Sequence, residues 1–475
     1  MGRNSCAMRP LSSRESRLSG GFPLGMVLGL VFSLVLTGCA AKIPPVGEVQ
    51  DLRVLPQDVG TYVRHFGMEE PLITADRQQE LAARFLDIHF SPWNDTDLTA
   101  DDTDLFWGLR RYQGREVFGE NLLPQPAGWL EEMARRSAPD LFPMLVHPAI
   151  TVVPTSLRVL PTHRPVFNDP ASPGQGFPFD YLQNSLVPAG TPVRVVHTSL
   201  DGAWYLVKAA HVSGWVRPWE VAWVDQGFMD AYRASELIAL IRDDAAITTA
   251  EGMYALHGRV GMLLPRSSEF PPPGKVAVRA PQRRADGWAE LKDARIAGEQ
   301  VAPWPLAATA DKYVQVLNGL LGQAYGWGGM YENRDCSALI QDVQALFGIT
   351  MPRNSRAQAQ AGRVVNLEGL SAVRKEQVVL EQGVPLLTIV NMPGHVMLYL
   401  GPDPVSGRPV VLHSIWGLRI REAQRRESPS ATPGRWVLGR TVITTLTPGA
   451  ELRNLVKPQG LLVERVGSMT LLDDF

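Results

Sequence analysis

The chain is poor in cysteine: three among 475 residues, Cys6, Cys39 and Cys336. Cys6 lies ahead of an apolar segment and Cys39 closes that segment, so Cys336 has no disulfide partner in the rest of the chain. Close pairs of metal ligands are missing too, with no C-x-x-C or H-x-x-x-H spacing anywhere, so no metal or cofactor is expected. Charge of one sign is not in surplus. Lys and Arg number 46 against 48 Asp and Glu, a net of −2, which gives nucleic acid no reason to bind. Beyond residue 40 no apolar run approaches the about 20 residues that a membrane span needs. With 45% hydrophobic residues and 12 tryptophans, the chain can still fill real cores, enough for about three domains.

The N-terminus carries Arg3, Arg9, Arg14 and Arg17, then the apolar run from Phe22 to Leu36, then Leu36-Thr37-Gly38-Cys39. A basic start, a short apolar core and small residues before a cut describe a secretory signal. A cysteine directly after Thr-Gly resembles a bacterial lipobox. That resemblance implies a signal peptide over 1–38 and lipid attachment at Cys39. Two or three acyl chains, at about 0.8 kcal/mol per buried methylene, hold a protein at a membrane. Ala40 in place of Asp fits the outer membrane of a cell envelope, facing the periplasm. An ordinary cleaved signal is the alternative.

Residues 43–66, punctuated by Pro and Gly, read as a tether. Helical spacing predicts helices over 75–89 and 127–136, and a mostly helical segment to about residue 150. Short β-branched runs follow. Asp201-Gly202 and Asp286-Gly287, each with a tryptophan close behind, sit between strand-like segments at 193–198 and 204–208 and at 275–279 and 288–292. Two small β-barrels are expected, with a helical stretch over 227–242 between them. From Trp304 the pattern is helices first (311–322, 336–347) and strands afterwards (396–400, 410–412, 440–446), an α+β arrangement.

Cys336 opens the second of those helices. A helix start carries roughly half a positive charge and unpaired N–H groups, which favour a thiolate and an oxyanion. Of nine histidines only His395 and His413 follow the cysteine, each at a strand edge. A thiol, an imidazole to take its proton and a further polar group to fix the imidazole make a nucleophilic centre.

Tyr325-x-Trp327-Gly328-Gly329, Asp335-Cys336-Ser337, Gly348 to Pro352-Arg353-Asn354-Ser355, His395-Val396-x-x-Tyr399-Leu400-Gly401 and Leu412-His413 resemble, in this order, the NlpC/P60 cysteine peptidases. Ala338 stands where that family usually has Gly, and the Gly-Asp pair common before the first His strand is missing. The resemblance implies a papain-like α+β catalytic domain acting on bacterial wall peptides between γ-D-glutamate and a diamino acid. Cys336 is then the nucleophile, His395 the base and His413 its orienting partner, while Tyr325, Asp335, Ser337 and Ser355 line the pocket for an N-terminal L-alanine. The β modules resemble bacterial SH3-like domains.

The implied plan is a tether and helical stabilising domain over 39–150, SH3-like domains over 151–226 and 227–303 (the latter with its helical linker), the catalytic domain over 304–447 and a C-terminal extension over 448–475. The expected partners of this multi-domain monomer are murein peptides and, through its lipid, a membrane. Two alternatives are a non-catalytic wall-binding lipoprotein and an amidase or acyltransferase on the same fold.

Overall fold

The computed structural model describes residues 48–64, 67–94, 104–172, 175–421, 431–432 and 434–472. The expected signal segment and the expected lipid-attachment residue Cys39 lie outside the described residues. Among the described residues no helix is long and apolar enough to cross a membrane.

The helix Ala75–His89 forms where its spacing places it, started by Thr74, whose side chain accepts from the Arg77 N–H. The first β unit is one seven-stranded sheet. Its strands run, in spatial order, Gln183–Val187, Thr155–Arg158, Ser213–Val216, Tyr205–Lys208, Pro192–Thr198, His147–Thr151 and Val221–Trp223. Asp201-Gly202 turns one hairpin, with Gly202 at φ 68 and Thr198 paired to Tyr205. Asp286-Gly287 turns another in the second unit, where Lys275–Arg283 pairs with Ala289–Ala297.

Three segments differ from the expectations. The stretch over 227–242 is a helix only over Gln226–Arg233. Leu237–Leu240 is a strand, buried at all four positions between Leu263–Pro265 and Val301–Pro303. A short apolar run buried on both faces has no alternation to separate strand from helix. The supposed tether is structured from residue 48. Asp51 accepts from both the N–H and the hydroxyl of Thr445 at 2.7 Å, and the Gln57 amide pairs with the N–H and carbonyl of Ile443, each at 2.9 Å. Side chains thus stand in for a neighbouring strand along the edge of Arg435–Thr445.

The third difference concerns the expected C-terminal extension over 448–475, whose described part, to residue 472, adds a strand to the sheet. Ser468–Leu471 is an interior strand of the catalytic sheet, whose order is Arg363–Asn366, Ser468–Leu471, Thr388–Met392, His395–Pro402, Pro409–Arg419, Arg435–Thr445 and Ala431–Thr432.

One apolar core runs through three of these regions. Tyr62, Phe90 and Trp93 from the helical region, Leu237 and Leu263 from the second β unit, and Leu339 and Phe347 from the cysteine helix belong to the same buried cluster. Burial at about 25 cal/mol per Å² of apolar area makes that shared core the main force joining the domains. A buried ionic network reinforces it. Arg334, just before the Asp335-Cys336 pair and 1% exposed, reaches Asp243 of the second β unit and Asp342 of its own domain, and Asp342 also takes Arg259.

Candidate active site

The helix Cys336–Leu346 begins at an Asp335 cap whose side chain accepts from the Ala338 N–H at 2.8 Å. This leaves Cys336 on the first turn, 7% exposed. The two-residue turn Pro393-Gly394 pairs Met392 with His395 and makes His395 the first residue of its strand. Leu398 pairs with Leu412 on the next strand, so His395 and His413 take diagonal positions on one face. Their rings meet: His395 Nε2 and His413 Nδ1 are 2.8 Å apart.

Thr444 lies behind them, its Oγ1 3.1 Å from His413 Nε2. Its hydroxyl donates to the Thr445 carbonyl at 2.8 Å. It therefore accepts from His413, whose proton sits on Nε2. His413 Nδ1 is then an acceptor, His395 carries its proton on Nε2, and His395 Nδ1 is left unprotonated. That is the tautomer a base needs.

Burial and the neighbouring Asp335 charge push the Cys336 thiol up to about 12, although the backbone N–H groups of Val396 and Ser337 pull the other way. Burial lowers His395 to about 4, and burial together with His395 holds His413 well below its ordinary value. The expected thiolate at the helix start is therefore outweighed. At rest the site is a neutral thiol beside two neutral imidazoles.

Tyr325, Asp335, Cys336, Ser337 and Ser355 line one cavity of about 460 Å³, while His395 lines the adjoining one and His413 is fully buried behind it. The far wall comes from earlier in the chain: Trp107, Arg111, Tyr181, Gln183, Asn184 and His211. Gly328 at φ 60 and Gly329 at φ 86 let that wall approach, since a Cβ on Gly328 would stand 2.4 Å from the Gln183 carbonyl oxygen.

Asp335 is held more tightly than a free pocket carboxylate. Its Oδ1 accepts from Ser337, Ala338 and Arg353, and its Oδ2 from Gly328 and from Arg353 at 2.8 Å. Burial alone would raise its carboxyl, yet Arg353 and these N–H groups keep it below the usual range. Arg353 also donates to Ser185 of the first β unit at 2.7 Å. Burial, then the charge of Asp335, raises the Tyr325 phenol, which stays a proton donor.

Arg353 and Thr444 were not singled out from sequence. Arg353 stands within Pro352-Arg353-Asn354-Ser355, 18 residues along the chain from Asp335. Thr444 left no signal, because its partner is 31 residues away across a strand pair. Among the described residues no group of three His, Cys, Asp or Glu is placed to hold a metal.

The sequence matches four family descriptions: the NLPC_P60 stabilising domain, N term, over 28–142; an SH3 domain of SH3b1 type over 165–217; an SH3 domain of SH3b2 type over 225–270; and the NlpC/P60 family over 322–429. A protein of Corynebacterium glutamicum (strain R) named "Probable endopeptidase" is 35% identical over 92 residues, 19% of this chain and 43% of that protein's length. Among solved structures, an NlpC/P60 endopeptidase from Photobacterium damselae subsp. piscicida aligns with a TM-score of 0.74 at 23% identity, covering 88% of this chain and 98% of its own. An NlpC/P60 family protein from Bacillus cereus ATCC 10987 aligns at 0.41 and 18% identity, over 68% and 99%. Behind a helical N-terminal region and two SH3-like units, the chain carries an NlpC/P60 family domain over 322–429.

Proposed function

We propose that this chain is a cysteine peptidase of bacterial wall peptides that cuts the bond between γ-D-glutamate and a diamino acid. The observation that carries this reading is the relay Thr444–His413–His395, which leaves one imidazole nitrogen unprotonated in the cavity that adjoins the one lined by Cys336.

The unprotonated Nδ1 of His395 takes the thiol proton as the sulfur attacks the γ-carbonyl carbon. The oxyanion forms at the helix start and near the Tyr325 phenol, both donors. His395 returns the proton to the departing amine, the C–N bond breaks, and a thioester remains on Cys336. Water attacks the thioester carbon and gives a proton to His395, the C–S bond breaks to release the acid, and His395 returns that proton to the Cys336 sulfur. Because thiol and imidazole are both neutral at rest, proton transfer accompanies attack instead of preceding it.

The wall built by the first β unit narrows the cleft at the Asp335 end and favours a peptide terminus over a glycan-linked chain. Ser355 and Tyr325 frame the space for a small alanyl side chain, with Ser337 beneath. A free L-Ala ammonium shares Asp335 with Arg353, so that contact is weaker than one to an unpaired carboxylate. The protein acts as a lipid-anchored monomer, held through Cys39 at the outer membrane and facing the periplasm.

Mass spectrometry of L-Ala-γ-D-Glu-diamino acid peptides and of whole sacculi tests the reading. Release of the diamino acid by wild type and none by Cys336→Ala is the expected result. Intact γ-D-glutamyl bonds in every peptide would overturn it.

A further inference from the structure

A second cavity of about 260 Å³ adjoins the first and contains His395 but not Cys336. Aromatic side chains, Trp327 and Trp416 among them, wall it, and three arginines supply its charge: Arg419, Arg435 and Arg465. Arg419 and Arg435 are direct cross-strand partners at the ends of Pro409–Arg419 and Arg435–Thr445. Like charges directly opposite destabilise a strand pair. Among the described residues no ion pair joins any of the three to a carboxylate. Arg465 arrives from the short helix Leu462–Arg465 and donates to the Pro393 carbonyl at 3.1 Å, on the turn that presents His395. Burial lowers Arg435, and the charges of Arg419 and Arg465 lower it further, as expected for converging cations.

We propose that Arg419, Arg435 and Arg465 form a carboxylate-binding subsite for the amine-bearing fragment that leaves during the first step. This rests on the peptidase reading above and adds to it which fragment the chain selects. The acyl half of the substrate becomes bonded to the Cys336 sulfur and so occupies the cavity that contains Cys336. The departing amine takes its proton from His395 and so lies in the cavity that contains His395. A fragment there meets three guanidinium groups whose planar forks match carboxylates. Its chemistry is that of a small amino acid or short peptide with a free carboxylate. The carboxylate comes either from the side chain of the diamino acid or from the peptide's C-terminus.

Four peptides separate those sources: L-Ala-γ-D-Glu joined to meso-diaminopimelate or to lysine, each as the C-terminal free acid and as the amide. With the purified protein, kcat/KM should fall on the order of tenfold when the relevant carboxylate is removed, the value of one charged hydrogen-bonded contact. A drop from diaminopimelate to lysine assigns the side-chain carboxylate, and a drop on amidation assigns the terminal one. Arg435→Gln and Arg465→Gln should bring the ratio between the preferred peptide and its stripped partner towards one, and Arg435→Lys should keep part of it. Equal kcat/KM on all four peptides by wild type overturns the subsite while leaving the peptidase reading intact. Equal losses on all four by the arginine variants overturn it too, since they mark a merely structural role. Failure to cut any of the four removes the peptidase reading itself.

Discussion

Arg334 of the catalytic domain and Asp243 of the second β unit are joined by two hydrogen bonds of 2.5 and 2.9 Å, with Arg334 wholly shielded from water. The main chain of Arg334 is just as engaged, its carbonyl accepting from the Gly326 N–H at 3.0 Å and from the Ser414 hydroxyl at 2.8 Å. The turn carrying Tyr325, the strand carrying His413 and the start of the cysteine helix all meet at this residue. Asp243 is held low, to about 2, because Arg334 outweighs the effect of burial. Replacing Asp243 with Ala leaves the buried guanidinium to Asp342, which Arg259 also uses, at about 3 kcal/mol. Thermal melts should show the loss, with kcat falling alongside. An unchanged melt would make the second unit a passenger.

The histidine relay has a graded expectation. Cys336→Ala should abolish turnover without unfolding the chain. His395→Ala should cost more than His413→Ala, because a base moves the proton whereas an orienter only places the base. Thr444→Val removes the group that fixes the tautomer of His413. It should lower kcat on the order of tenfold with little change in KM, as checked by steady-state kinetics on the free tripeptide.

The pH dependence follows from the depressed imidazoles. His395 titrates near 4 in the fold and near 6.5 when unfolded. Between those values the unfolded chain binds more protons, so stability is full above about pH 6.5 and declines as pH falls towards 4. His89, lowered by burial to about 4, and His413 act in the same direction. Activity should persist through pH 5 and fall with a midpoint near 4. Rates and circular dichroism recorded together separate titration of the base from unfolding. A midpoint between 6 and 7 would contradict the neutral resting site.

Gly328→Ala tests the seam between the first β unit and the cysteine domain. The new methyl group meets the Gln183 carbonyl oxygen at 2.4 Å in a backbone region that side chains rarely adopt. Loss of about 1–3 kcal/mol is expected. Discrimination between the free and N-acetylated tripeptide should fall too, since the wall at the Asp335 end shifts.

What could be read in the sequence was what is decided locally. The helix Ala75–His89 shows its apolar spacing and its Thr74 cap, and the hairpins show their Asp-Gly turns. The order Cys, His, His is likewise carried by nearby residues. Leu237–Leu240 had no alternation because both its faces are covered. Arg353, Thr444 and the arginines of the second cavity were hidden for another reason. Their partners sit on other strands or in other domains, and only the folded register brings Arg419 opposite Arg435 or Arg353 against Ser185.

The interior strand Ser468–Leu471 has a consequence for how the molecule comes into being. Arg363–Asn366 and Thr388–Met392 never touch as strands, because each pairs only with this late segment on that side. A chain still emerging from the ribosome, or one stopped early, has a slot through the sheet that carries His395 and His413. The sheet that carries the two histidines therefore becomes continuous only once residue 471 is made. Until then Arg363–Asn366 has no place in it, and every unfinished copy carries an open edge at Thr388–Met392.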